Sequence, residues 1–294
     1  MDTTILQFLA APFVASLILT GIHAYLGVHV VERGVIFVDL SLAQIAALGA
    51  TIAVLLPITG GDPHAPSVYW ISLAFTFIGA AVFSTIRSKR ARIPQEAIIG
   101  ICYAVASAAS ILAMSKATAQ AEHLDDMLVG NILAVSWHDV LKTTLLYGAI
   151  GTFHFIFRRQ FLSISIDPAA AEAKGTSIRL WDFLFYASFG FVVTSSVSIA
   201  GVLLVFCYLI VPSVAAMLYS DRIGPRLAIG WSMGTIVSAL GVYLSVALDL
   251  PTGATIVCTF GTVLALMAVV RPLIQRNGAG DVHQRDYADV AHGH

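Results

Sequence analysis

Residues 182–219 read DFLFYASFGFVVTSSVSIAGVLLVFCYLIVPSVAAMLY, and after Asp182 no charged side chain occurs until Asp221. A helix needs about 20 mostly apolar residues to cross the ~30 Å hydrocarbon core of a bilayer. The run therefore holds two crossings, 182–199 and 201–219, joined by almost no loop. The same texture repeats outward along the chain. Apolar segments at 5–31, 36–57, 68–86, 96–115, 138–157, 227–247 and 253–270 bring the expected number of spans to nine. Segment 127–136 is too short to cross and is expected to be a half-inserted or surface helix. Turn-forming runs such as Thr59-Gly60-Gly61-Asp62-Pro63 and Asp249-Leu250-Pro251-Thr252-Gly253 separate the spans. The expected fold is an all-α polytopic transmembrane bundle occupying residues 1–276, followed by a polar tail, 277–294, without fixed structure.

Composition supports the same class. Of 294 residues 58% are hydrophobic and 11% charged, with a mean hydropathy of +0.86, whereas soluble domains carry about 25% charged residues. A soluble enzyme, a nucleic-acid binder and a disordered chain are excluded. Cys102, Cys207 and Cys258 all sit in apolar blocks, so no disulfide framework is expected. No basic residue precedes the first apolar segment, and it lacks a clear small-residue cleavage site. It reads as the first span rather than as a signal peptide.

Basic residues favour the cytoplasmic side of a membrane. With the N-terminus outside, 14 of the 16 Lys and Arg residues fall inside: Arg33, Arg87, Lys89, Arg90, Arg92, Arg158, Arg159, Lys174, Arg179, Arg222, Arg226, Arg271, Arg276 and Arg285. Only Lys116 and Lys142 fall outside, among the acids Asp2, Asp62, Glu122, Asp125, Asp126, Asp139 and Asp249. An acidic outer rim concentrates cations at the mouth of a path.

No Gly-Lys dipeptide occurs, so the chain has no phosphate-cradling loop of the GxxxxGK[ST] type. It is not expected to be an enzyme, and uphill transport would need an ion gradient or a separate ATPase. The loop 158–181 bears on that choice. Asp167 suits a helix N-cap, Pro168 the first turn, and Gly175 the position just past the end. A helix of about seven residues is too short to stand alone, so 167–175 is expected to dock on another molecule, with Asp167, Pro168, Glu172 and Gly175 forming an ATPase-coupling surface.

Five stretches together resemble the integral membrane permeases of bacterial metal-ion ABC importers, which move zinc, manganese or iron. Asp167-Pro168 with Ala171, Ala173 and Gly175 is similar to the family's cytoplasmic DPxxAxAxG segment. Gly130 to Ser136 is similar to its ILAVS segment, and Gly201 to Val205 with Leu209 to Pro212 to its GVLLV…LVIP block. Asp249 to Gly253 matches its DLPTG turn, and Glu96 with Gly100 fits its ExxIG. The resemblance implies paired permeases, a second copy or a paralogue, with the path on the dimer axis. It also implies two ATPase subunits and an extracellular metal-binding protein, in the bacterial inner membrane. The metal is cargo, and no cofactor is permanently bound.

Candidate site residues follow from cost and chemistry. Ionisable groups inside spans are expensive and so are functional candidates, and divalent transition metals take imidazole and carboxylate ligands. Asp39 in Val38-Asp39-Leu40-Ser41-Leu42-Ala43-Gln44 resembles the family's GDxLxHA segment, in which Asp and His share one helical face. This chain departs from that pattern. Ala43 stands four residues after Asp39, and alignment on Gly49 places Gln44 at the histidine position. Asp39, Gln44 and His23 are the candidate metal path, with His154 a further histidine within a span. Glu122, His123, Asp125 and Asp126 are candidates for outer cation capture or binding-protein docking. Glu96 is a candidate gate or helix-starting carboxylate, and Pro212 a candidate hinge. A proton- or sodium-driven secondary transporter, and an ABC permease for a siderophore or cobalamin-like ligand, remain as alternatives.

Overall fold

The computed structural model describes residues 3–60, 62, 65–86, 93–115 and 132–291. Among these the fold is all helical. The helices are α1 Thr3–Arg33, α2 Val38–Leu55, α3 Pro66–Ile86, α4 Gln95–Met114, α5 Trp137–Ile156, α6 Arg158–Ile166, α7 Pro168–Ala173, α8 Ile178–Ala200, α9 Val202–Met217, α10 Ile223–Leu248 and α11 Thr252–Ala291. Seven are long and apolar enough to cross a membrane, and α5 with α6, bent by 74° at their junction, make an eighth if the pair is one span. The nine crossings expected from the sequence require α9 to cross as well. Its 16 residues reach only ~24 Å at 1.5 Å each. Within 127–136, Ile132–Ala134 forms a single 3-10 turn, and 127–131 lie outside the described residues. The helical path of α11 continues past its membrane-length part, Thr252–Pro272, into the polar stretch from Asn277, where the sequence reading expects no order.

The antiparallel succession of helices gives the bundle two ends. Arg33, Glu96, Asp182, Arg222 and Arg226 lie at the same one, as ion pairs and hydrogen bonds between their helices require, and we refer to it as the basic end. The bundle has two lobes. In one, α1 packs on α9 and α10, and α10 packs on α11; in the other, α2 packs on α3 and α4, and α3 on α8. Between them Phe185, Phe189, Val192 and Val193 of α8 and Leu19, Leu26 and Val30 of α1 are buried in a common core. Close approach sets the α1–α9 distance. A Cβ at Gly27 would lie 2.0 Å from the Leu209 carbonyl oxygen, so only glycine fits there. Gly230, Ser232 and Gly234 have the spacing of a hydrolase nucleophile motif, but they lie inside α10 rather than on the strand-to-helix turn that exposes such a serine.

Candidate translocation path and coupling surface

The first turn of α2 brings together two of the sequence candidates. Phe37 is the N-cap residue of α2, and its backbone N–H donates to Glu96 Oε1 at 3.0 Å. Glu96, in the first turn of α4, therefore supports the start of the neighbouring span as well as its own; the favourable place of a carboxylate at a helix N-terminus accounts for both. Two residues on, Asp39 is 1% exposed. Its Oδ1 has no hydrogen-bond partner, and neither has the buried Ser41 hydroxyl. A buried carboxylate without a partner is costly, and a cation placed beside it would offset that cost. Ala43 shares the helical face of Asp39, one turn along. It lines a cavity of about 50 Å³ with Ala46, Ala47, Ser72, Ser110 and Thr194. Gln44, half-buried, is turned about 100° away from Ala43 around the helix and does not line that cavity.

His23 is engaged on both sides of its ring. Nδ1 is 2.8 Å from the Leu19 carbonyl, which can only accept, so Nδ1 carries the proton. Nε2 is 3.1 Å from the Ser196 hydroxyl, which is also 2.6 Å from the Tyr147 hydroxyl. A metal at His23 would have to displace one of these bonds. His154 stacks on Phe161 at 4.2 Å and bonds through Nε2 to Ser188 Oγ at 2.8 Å. Its Nδ1 is buried without a partner.

A residue that sequence reasoning passed over, His29, shares the Tyr25 ring as a neighbour with His154. The Tyr25 ring is 4.8 Å from His29 and 5.6 Å from His154. His29 Nδ1 meets Ser165 Oγ at 2.8 Å. Its only sequence signal is its place four residues before Arg33 at the end of an apolar helix. Among the described residues no group of three or more His, Cys, Asp or Glu side chains stands close enough to hold a metal ion.

At the basic end α6 and α7 form a bracket between α5 and α8. Asp167 Oδ1 accepts from the Ala170 N–H at 2.9 Å, capping α7, and Pro168 is its first residue. At the other end the Gly175 N–H donates to the Glu172 carbonyl and the Thr176 N–H to the Ala171 carbonyl. This pair of bonds is the Schellman closure. It needs a left-handed residue, and Gly175 has φ +80°. Ala171 is buried, while Ile166, Ala169, Glu172, Ala173 and Lys174 are exposed. The result is a rigid knob, stopped at both ends, with one inward anchor and an outward face.

Glu122, His123, Asp125 and Asp126 lie outside the described residues. Pro212 is buried within α9, which continues through it. The Ser213 hydroxyl donates to the Leu209 carbonyl at 2.9 Å, beside the contact with Gly27.

The profile of the family described as "ABC 3 transport family" matches residues 5–271. The chain is 26% identical over 273 residues to the manganese transport system membrane protein MntC of Halalkalibacterium halodurans, covering 90% of this chain and 88% of that one. It is 27% identical to the chelated iron transport system membrane protein YfeC of Yersinia pestis, covering 86% and 82%. In fold it is similar to a chain of PsaBC from Streptococcus pneumoniae in complex with Fab, with a TM-score of 0.72, 23% identity and coverage of 88% and 90%.

Proposed function

The chain belongs to the ABC 3 transport family, and from that membership we propose that it is the membrane-spanning permease of an ATP-driven importer for a divalent metal ion. The observation that carries this reading is the family match across the entire helical bundle, 5–271. Relatives named for manganese and chelated-iron transport, covered over most of their length, support it. The cargo is manganese, zinc or iron, and the permease makes and breaks no bonds itself.

In the proposed arrangement the N-terminus is outside and the basic end faces the cytoplasm, following the segregation of Lys and Arg. Two permeases, identical or paralogous, flank the path, and two ATPase subunits bind the basic end. The outward face of α7 is their docking knob: its caps give a six-residue helix the stiffness that it lacks alone. A metal-binding protein delivers the ion at the opposite end, where Glu122, His123, Asp125 and Asp126 would meet it. The ion then passes the first turns of α2, where the buried Asp39 carboxylate compensates its charge, and Gln44, turned away from that face, stands off the path. His23, held by Leu19 and Ser196, orders α1 against α8 rather than binding cargo. Pro212 lies where α9 meets α1, as a hinge would, and Glu96 keeps the start of α2 in place.

The test is reconstitution. The chain with its ATPase and binding protein in vesicles is expected to take up Mn²⁺ or Zn²⁺ only with ATP and all three components. Uptake by the chain alone under a proton or sodium gradient would overturn the reading.

A further inference from the structure

The bracket α6–α7 is joined to α1 at Ser165, which meets both His29 and Arg33, and the Arg33 guanidinium carries the link on to α8. Arg33, the last residue of α1, donates from Nε to Ser165 Oγ at 2.9 Å and from an amino nitrogen to Asp182 Oδ1 at 2.6 Å. Both side chains of the Arg33–Asp182 ion pair are fully buried, and the guanidinium lies 3.9 Å above the Phe185 ring. Ser165 comes two residues before the Asp167 cap, and Asp182 is in the second turn of α8. The docking knob is thus held by the same arginine on its N-terminal and C-terminal sides. Ser165 gives its own proton to the Phe161 carbonyl at 2.9 Å, so its oxygen is left to accept from both Arg33 and His29. The next residue back, Glu32, is ion-paired with Arg226 of α10, and two turns back Gly27 touches the α9 backbone.

We propose that Arg33 is the positioning residue that ties the α7 knob to α1, with Ser165 and Asp182 as its two anchors, so that displacement of the knob is passed to α1 and through it to α9 and α10. The inference rests on the importer reading for its purpose, and on the bonds of Arg33 for its substance. A buried fork that satisfies two partners at fixed angles transmits direction as well as distance. A lysine ammonium cannot reproduce it, being a single point of charge.

Ser165→Ala and Arg33→Lys are small changes, and Ser165→Thr keeps the hydroxyl. In vesicles holding permease, ATPase and Mn²⁺-loaded binding protein, Ser165→Ala and Arg33→Lys are expected to raise ATP hydrolysed per Mn²⁺ transported by about fivefold or more. Ser165→Thr should remain near wild type. A wild-type ratio in both of the first two variants overturns the proposal. Hydrogen exchange on the purified chain separates this result from a failure of the importer reading. If wild-type protein shows no ATP-driven uptake, the tie still predicts that Ser165→Ala loses protection jointly in 28–33 and 168–175. Loss confined to 165–175 overturns it.

Discussion

Two polar regions at the basic end of the bundle, both buried, are built in opposite ways. Around Arg33 the polar groups are tied to one another: guanidinium to Asp182, Nε to Ser165, His29 Nδ1 to Ser165, with the guanidinium on the Phe185 ring, although His29 Nε2 is buried there without a partner. Around Asp39 the carboxylate and the neighbouring Ser41 hydroxyl have buried atoms with no partner, and the surface that follows is alanine and small hydroxyls. Buried polar groups are normally satisfied, and exceptions ask for an explanation. The first region spends its polarity on holding helices together. The second leaves polar atoms open, the property that the proposed cation path calls for.

That contrast is broken or sharpened by variants on either side of it. The largest effect on folding is expected from Arg33→Ala. Removing one partner of a buried ion pair costs about 3–5 kcal/mol, read as lost yield and a lowered melting temperature of the detergent-purified chain. If the protein melts as wild type, the Arg33 region is not a structural knot. Next is Gly27→Ala, whose new methyl would meet the Leu209 carbonyl. Overpacking of this kind costs about 1–3 kcal/mol and should separate α1 from α9. An unchanged melting temperature would mean that the two helices are not held at glycine distance. Asp167→Ala removes a single exposed cap, worth about 1 kcal/mol. It should speed hydrogen exchange in 168–173 while leaving global melting nearly unchanged, and slow exchange there would remove the cap from the account.

The difference between the two regions also explains what the sequence could and could not disclose. Spans are local, because twenty apolar residues announce themselves wherever they pack. The expected 36–57, 96–115 and 227–247 correspond to helices at Val38–Leu55, Gln95–Met114 and Ile223–Leu248. The cap and stop of α7 are local too, since Asp167, Pro168 and Gly175 act within nine residues. The Arg33 knot is not local. Its bonds reach across 132 and 149 positions, and Arg33 counted from sequence as a loop cation is in fact sealed in the core. Glu96 read as a gate or as a carboxylate serving its own helix, and its bond to Phe37 across 59 positions was invisible for the same reason. Asp39 stood out because a carboxylate in an apolar span is costly wherever it lands. That Ala43 and not Gln44 follows it toward the cavity depends on helical phase, which a one-residue shift in alignment to the GDxLxHA pattern obscures.

The smallest effect on stability and the largest on transport are expected at the same position, Asp39→Asn. The substitution keeps the shape and removes the charge, and no hydrogen bond to Oδ1 is lost. The direct measurement is ATP-driven Mn²⁺ uptake by Asp39→Asn in vesicles beside its melting temperature. The account predicts wild-type melting with uptake reduced at least about tenfold, a loss of ~1.4 kcal/mol or more at the rate-limiting barrier. Wild-type uptake by the folded variant would contradict it.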